Sequence, residues 1–361
     1  MEWAKPIYSK KEINWAGAYL LDDASRKELR KVAHAIDIVD NFRASHAFPL
    51  NTLQYRLRKL SYKVERKSIV AQRLKRFVSI MNKLTRFQRM KLYDMQDIGG
   101  CRAVVHDLKD VERLVDAFHA SHIKHKLTHY DDYIKNPKND GYRSWHLVYR
   151  YMSDKKETYN GLKVEIQIRT PLQHSWATTV ETVDLFTRQA LKSSRGMPEW
   201  RRFFQLMGTE IALLEDTPLV PGTPSDINIL HKELSECEKE LSVIASLTGF
   251  TNALSISRRV FSKMRGDYFL LSLNNVSEEL SITSYKRSEL EEASKAYALE
   301  ERQVRKNKGT DAVLVSVDSI RDLKRAYPNY FADTRLFVEI LKRAIKNKKG
   351  LVDPRQLRLF K

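Results

Sequence analysis

The run Leu162 to Thr170 alternates strictly: Val164, Ile166 and Ile168 fall on one face of a strand, and Glu165, Gln167 and Arg169 on the other. The polar face must be solvated or functional, and a surface strand would alternate in the same way, so Glu165 alone decides nothing. A second carboxylate shifts the weighing. Asp97 opens another apolar run, Ile98 to Val105, and can bring its side chain to the same sheet. Two carboxylates beside a basic stretch suit phosphoryl chemistry, because Mg²⁺ takes hard oxygen ligands and phosphate oxygens take Lys and Arg.

That basic stretch runs from Tyr55 to Lys91. Arg56, Arg58, Lys59, Lys63, Arg66, Lys67, Arg73, Lys75, Arg76, Lys83, Arg86, Arg89 and Lys91 face a lone acid, Glu65. A solvated helical face is the ordinary reading of such a run, and polyanion binding is the alternative that its one-sidedness favours. A third segment, Tyr133 to His146, is turn chemistry (Pro137, Asn139, Asp140, Gly141) leading into a strand. It presents Tyr142 and Arg143 either as a stacking platform for a base or as a bland loop.

These groups need elements to hold them. Apolar spacing predicts a helix over Ala24 to Ala47, strands at Ile98 to Val105, Ser144 to Met152 and Leu162 to Thr170, and a helix over Lys109 to His122. Helices follow over Pro171 to Arg188, Pro198 to Glu215, Ser225 to Ala245 and Ala253 to Met264, with a Pro-rich break at Pro218 to Pro224. The last segment reads strand (Tyr268 to Leu273), strand (Glu279 to Tyr285), helix (Ser288 to Lys306), strand (Ala312 to Val317), helix (Ser319 towards Tyr327) and helix (Asp333 to Lys346), with Gly266 and Asp267 as its boundary and a solvated tail. The fold class is therefore α/β (α+β): a mixed sheet flanked by helices, plus a small C-terminal β-β-α-β-α module. We divide the chain into a helical segment 1–50, a central domain 51–216, a helical connector 217–265 and a C-terminal module 266–361.

The 361 residues carry 64 Lys plus Arg against 45 Asp plus Glu, a net charge of +19 that points to a polyanionic partner or substrate. The two cysteines, Cys101 and Cys237, are too few and too far apart for a zinc site or a disulfide framework, and Cys101 sits in an apolar run as a small hydrophobe. No apolar run reaches membrane-spanning length and no signal core follows the first charges, so a cytoplasmic location is expected.

Four motifs in order, Gln72 to Lys83 (QRLKxxxSIxxK), Asp97 to Arg102 (DIGGCR), Pro137 to His146 (PKNDGYRSWH) and Val164 to Thr170 (VEIQIRT), resemble the signature of RelA/SpoT synthetase domains over about residues 50 to 190. The resemblance implies a nucleotidyltransferase-like synthetase domain and a pyrophosphokinase that uses ATP and Mg²⁺. By it Arg73 and Arg102 sandwich adenine, while Lys75, Ser79 and Lys83 hold phosphates. Asp97 and Glu165 are metal ligands and catalytic, with Glu165 the base for an acceptor 3′-hydroxyl. Tyr142 stacks the acceptor base, and Arg143, His146, Gln167 and Arg169 line its pocket. No upstream His-Asp hydrolase domain accompanies the match, which implies a short synthetase.

Two departures bear on the acceptor. Asp140 stands where alarmone synthetases usually carry Asn, and in Gln173 to Glu181 (QHSWATTVE) the Trp and Glu are five apart instead of four. The His-x-Trp-Ala form resembles toxic small synthetases that modify the 3′ CCA end of tRNA, with Arg56, Arg58, Lys59, Arg66 and Lys67 as candidate tRNA contacts. Tyr327-Pro-Asn-Tyr330, after a β-β-α-β unit without zinc ligands, resembles the pseudo-zinc-finger half of the fused toxin–antitoxin CapRel family. That resemblance implies that Tyr327 and Tyr330 close the ATP site until a phage capsid protein binds, with Val313, Leu314 and Ala326 as candidate contacts for it. A (p)ppGpp synthetase acting on GDP or GTP is the alternative.

Overall fold

The computed structural model describes residues 3–22, 28–121, 123–187, 191, 196–253, 266–274, 279–306, 310–317, 320–331 and 333–346. Three helices open the chain: α1 (Lys10–Tyr19), α2 (Leu29–Ser45) and α3 (Ala47–Val64). The first starts on a capping box, in which Ser9 accepts the Glu12 N–H and Glu12 accepts the Ser9 N–H. Then come β1 (Ile69–Leu74), α4 (Phe77–Arg86), β2 (Gly99–Val104), α5 (Leu108–His119), β3 (Lys126–Asp132), β4 (Trp145–Arg150) and β5 (Lys163–Arg169). Helices α6 (Pro171–Thr187), α7 (Pro198–Glu215), α8 (Ile227–Leu241) and α9 (Val243–Ala253) follow. The chain continues with β6 (Tyr268–Asn274), β7 (Glu279–Tyr285), α10 (Leu290–Lys306), β8 (Thr310–Ser316), α11 (Ile320–Ala326), a short turn at Pro328–Phe331 and α12 (Arg335–Ile345).

The eight strands among the described residues form one mixed sheet in the order β3-β4-β5-β2-β1-β8-β6-β7, with β2 and β5 parallel and the other neighbours antiparallel. Period-two alternation gives its centre two unlike faces. On one, Val70, Cys101, Ala103, Leu147, Val164, Ile166 and Ile168 are buried beneath α3 and α5. Each Val, Leu or Ile among them contributes about 1.5–3 kcal/mol on burial, which fixes which way β5 faces. The opposite face is therefore left with Arg73, Gly100, Arg102, Glu165, Gln167 and Arg169, cross-registered as Arg73↔Gly100↔Glu165 and Arg102↔Gln167.

Towards β8 this second face turns apolar, and Ile69, Ala71, Val104, Val313, Val315, Phe269 and Leu271 are roofed by Leu323, Ala326, Tyr327, Tyr330 and Phe331 of α11 and the turn. The C-terminal elements thus appear in the expected order but without a sheet of their own: β8 pairs with β1 at Gln72↔Ser316 and Arg73↔Val315. The boundary at Gly266 and Asp267 is one in the chain and not in the sheet. Helix α12 packs on α6 and α8, in a core with Phe203, Phe204, Leu230 and Phe337.

The expected strands at Ile98, Ser144, Leu162, Tyr268, Glu279 and Ala312 are present within a residue or two, as is the helix over Pro198–Glu215. The helix expected from Ser225 to Ala245 is two, because Ser242 at φ 47° breaks it with a left-handed turn. The Ala253 to Met264 helix, beyond 253, and the tail at 347–349 lie outside the described residues. No described helix is long and apolar enough to cross a membrane.

Candidate active site

Strand β1 ends at Leu74, and the Lys75 N–H donates to the Ile98 carbonyl at 2.8 Å, which ties the strand's exit to the loop carrying Asp97. Lys75 and Lys83, the latter one turn from the end of α4, each donate to one oxygen of Asp97, at 2.6 and 2.9 Å. Burial pushes the Asp97 carboxyl up, but the two ammonium groups outweigh it and hold the group well below the usual carboxylate range. Lys75 is moved down by the same burial, partly offset by Asp97. Ser79 lies on the same helix, part-buried.

Across β2, Glu165 sits in a chain of hydrogen bonds. Arg169 donates to the Tyr142 hydroxyl at 2.6 Å, that hydroxyl lies 2.7 Å from His146 Nε2, and His146 Nδ1 lies 3.0 Å from Glu165 Oε1. Since Tyr142 already accepts from Arg169, its proton goes to Nε2, so the tautomer with the proton on Nδ1 closes the chain at Glu165. Gln167 Nε2 donates to the other Glu165 oxygen at 2.7 Å, and Arg169 holds Gln167 at 2.6 Å. Against the opposing pull of burial, His146 and Gln167 keep the Glu165 carboxyl well below its usual range.

Tyr142 is positioned by its loop. The Asp140 carboxylate accepts the Tyr142 N–H at 3.0 Å, and Gly141 adopts φ +96°, where a Cβ would stand 2.7 Å from the Phe204 carbonyl. Trp176 backs the ring edge to face, and its indole N–H is fixed on the Phe204 carbonyl at 2.9 Å. Lys138 lies over both Tyr133 (4.1 Å) and Tyr142 (5.2 Å), an aromatic and cationic mouth that alternation in β5 could not reveal. Asp140 holds its own turn through an oxygen that Asn would also supply, but its charge also acts on Lys138 in this mouth, which Asn would not do.

Arg143 was expected in the acceptor pocket and is not there. It is buried among carbonyls, donating to Ile134 at 3.1 Å, to Thr217 Oγ1 at 3.2 Å and to Pro218, and it rivets the loop to the end of α7. The expected tRNA contacts are also apart from the carboxylates: Arg56, Arg58 and Lys59 lie on α3, over the sheet face opposite Glu165, and Arg66 and Lys67 follow in the exposed turn after it. Among the candidate sensor residues, Val313 is fully buried beneath the α11 roof, Ala326 is fully buried on the inner side of that roof and Leu314 packs part-buried beside Tyr297, so Val313 and Ala326 offer no surface in this arrangement.

Arg73 and Arg102 do stand beside each other on the open face. Arg73 faces Glu181 at 3.7 Å, while Arg102 is pushed down to about 10 by burial and by neighbouring Arg169. The ring of Tyr327 lies 5.3 Å from the Arg102 guanidinium, its hydroxyl donates to the Gln72 carbonyl at 3.0 Å, and Arg102 donates to the Ala326 carbonyl at 3.1 Å. Beside them neutral His174 donates to the Arg325 carbonyl at 2.9 Å. Tyr330 donates to Asp311, which also pairs with Arg76. The C-terminal turn is thus latched over the arginine pair by a main-chain carbonyl of β1 and by side chains of β2 and α6, partners that only the fold brings together.

A family model described as "Region found in RelA / SpoT proteins" matches residues 72–184, the stretch from β1 to α6. Among individual relatives, the GTP pyrophosphokinase YwaC of Bacillus subtilis (strain 168) is 34% identical over 112 residues, 29% of this chain and 52% of that protein. The GTP pyrophosphokinase YjbM of the same organism is 35% identical over 114 residues, 30% of this chain and 52% of that protein. The chain spans about half the length of these curated relatives. A solved structure of small alarmone synthetase 1 from Bacillus subtilis bound to pppGpp is 26% identical, covering 48% of this chain and 91% of that one, with a TM-score of 0.42.

Proposed function

We propose that the chain transfers pyrophosphate from ATP to a ribose 3′-hydroxyl, and that the acceptor is the 3′ CCA end of tRNA. The observation that carries the reading is the shared face itself: a carboxylate clamped by two lysines, a second carboxylate at the end of a hydrogen-bond chain, and an arginine pair with incomplete neutralisation, all opening onto the space above Gly100. Lys75 and Lys83 would exchange Asp97 for phosphate oxygens, and Arg73 and Arg102 would flank the adenine. Asp97, in the loop that leads into β2, and Glu165, on the neighbouring β5, are both ionised and fit a Mg²⁺ ion that takes one or two carboxylates and completes its shell with phosphates and water. Bound there, such an ion would neutralise charge on the transferred group.

Glu165, kept unprotonated by His146 and Gln167, accepts the proton of the acceptor hydroxyl as its oxygen attacks the β-phosphorus; the bond from that phosphorus to the bridging oxygen breaks and AMP leaves. Tyr142 with Tyr133 and Lys138 would seat the acceptor base. The net charge of +19 supports a polyanionic acceptor, and the exposed Lys59, Arg66 and Lys67 would have to be reached by an RNA long enough to pass round the sheet. In the closed arrangement Tyr327 occupies the side of Arg102 on which adenine would stack, which supports autoinhibition. Release by a phage capsid protein would need a surface other than Val313 and Ala326.

The second reading, transfer to GDP or GTP, is favoured by the names of the relatives, which are GTP pyrophosphokinases. Incubating a Tyr327→Ala chain with labelled ATP and either deacylated tRNA or GDP separates the two. Label on tRNA, lost in Glu165→Gln, is the expected result; label on GDP alone moves the acceptor to the second reading, and no label on either rejects pyrophosphate transfer.

A further inference from the structure

Helix α4, which carries Ser79 and Lys83, begins without a cap of its own: Arg76 at the N-cap makes no side-chain bond to the first turn, and that turn holds no acidic residue. An uncapped N-terminus leaves N–H groups wanting acceptors. The first of them, the Phe77 N–H, donates at 2.9 Å to Glu301, which lies on α10, 224 residues further along the chain. The same carboxylate oxygen accepts from Arg43 at 2.6 Å and from the Tyr297 hydroxyl at 3.0 Å, and Glu301 is only 2% exposed. One residue earlier, Arg76 pairs with Asp311 at the start of β8. The two residues that follow Lys75 are therefore gripped by two carboxylates of the C-terminal segment.

We propose that Glu301 is a positioning residue for the pyrophosphate-donor site, capping α4 from a distance and so setting where Lys75 and Lys83 meet a phosphate. This rests on the donor-site reading above. It gives the C-terminal segment two opposite effects: Tyr327 obstructs the site, while Glu301 builds it. Activation must then move the Tyr327 turn and leave α10 seated.

The test uses full-length chains in a Tyr327→Ala background, with a non-hydrolysable ATP analogue titrated into the parent, into Arg43→Met with Glu301→Ala, and into Arg43→Met with Glu301→Gln. Met at position 43 removes a buried charge that would otherwise keep only Asp40, at 3.5 Å, as its partner, and Gln keeps an oxygen for the Phe77 N–H where Ala does not. The Ala pair should bind the analogue about five- to tenfold more weakly, and the Gln pair should recover most of that loss. A purely structural role would lower the melting temperature of the Ala pair and leave the affinity of its folded fraction unchanged, and that result overturns the proposal, as does a loss that Gln does not restore. A Tyr327→Ala parent that fails to bind the analogue overturns the donor-site reading and this inference together.

Discussion

Gly100 stands in register between Arg73 and Glu165, and a Cβ built on it meets nothing within 4 Å. A side chain there should fit the fold and fill the space that a nucleotide needs. Gly100→Val is thus expected to leave the melting temperature within a few degrees of the parent, since β-branched residues suit strands, and to weaken ATP-analogue binding by at least tenfold in calorimetric titration. Asp97 gives a pH prediction. Its folded-state pKa lies below the unfolded value of about 3.9, so its stabilising contribution is present above that pH and is lost as pH falls through the folded value. Asp97→Asn should be less stable than the parent by about 1–3 kcal/mol at pH 7 in urea unfolding, and the gap should narrow below about pH 4.

At the scale of elements, the strands whose apolar side chains alternate were legible, and those whose side chains do something else were not. Strand β3 is exposed along most of its length and has no apolar face to read, so the sequence pattern passes over it. Strand β1 is apolar only over Ile69, Val70 and Ala71, and its second half puts Gln72 and Arg73 where apolar residues would advertise a strand. The carboxylates, lysines and Tyr142 could be named from motif and spacing, whereas Arg143 misled because an arginine beside a stacking tyrosine looks like a ligand group until its carbonyl partners are seen. Glu301 and Asp311 left no local sign of their hold on α4, since Phe77 and Arg76 are more than 200 residues away. The turn after α11 yields a sharp expectation: Tyr327→Ala removes one ring and one hydrogen bond at the edge of the roof and should raise pyrophosphate transfer by an order of magnitude or more in the labelled-ATP assay.

For the molecule as a whole, the continuous sheet decides what truncation would do. Removing residues beyond 265 strips β8 from β1, uncovers Ile69, Ala71 and Val104, and leaves Arg43 and Arg76 without Glu301 and Asp311. Breaking the buried Arg43–Glu301 pair by deleting one partner costs about 3–5 kcal/mol, and the part-exposed Arg76–Asp311 pair and an apolar interface are lost with it. The shortened chain is expected to melt at least 10 °C below the full chain or to aggregate, whereas Tyr327→Ala, which removes one buried ring but keeps the sheet and both ion pairs, should melt between the two; thermal unfolding followed by circular dichroism separates the outcomes.

The join between β1 and β8 also orders events in time. Residues 69–74 leave the ribosome some 230 residues before residues 310–316, which at about 5–20 residues per second is on the order of ten to fifty seconds. During that interval α4 has no Glu301 at its N-terminus and β1 has an open edge. By the time the carboxylate that completes the helix has been made, only some two dozen residues separate the growing end from Tyr327, so a nascent chain acquires its finished lysine clamp and its restraint almost together.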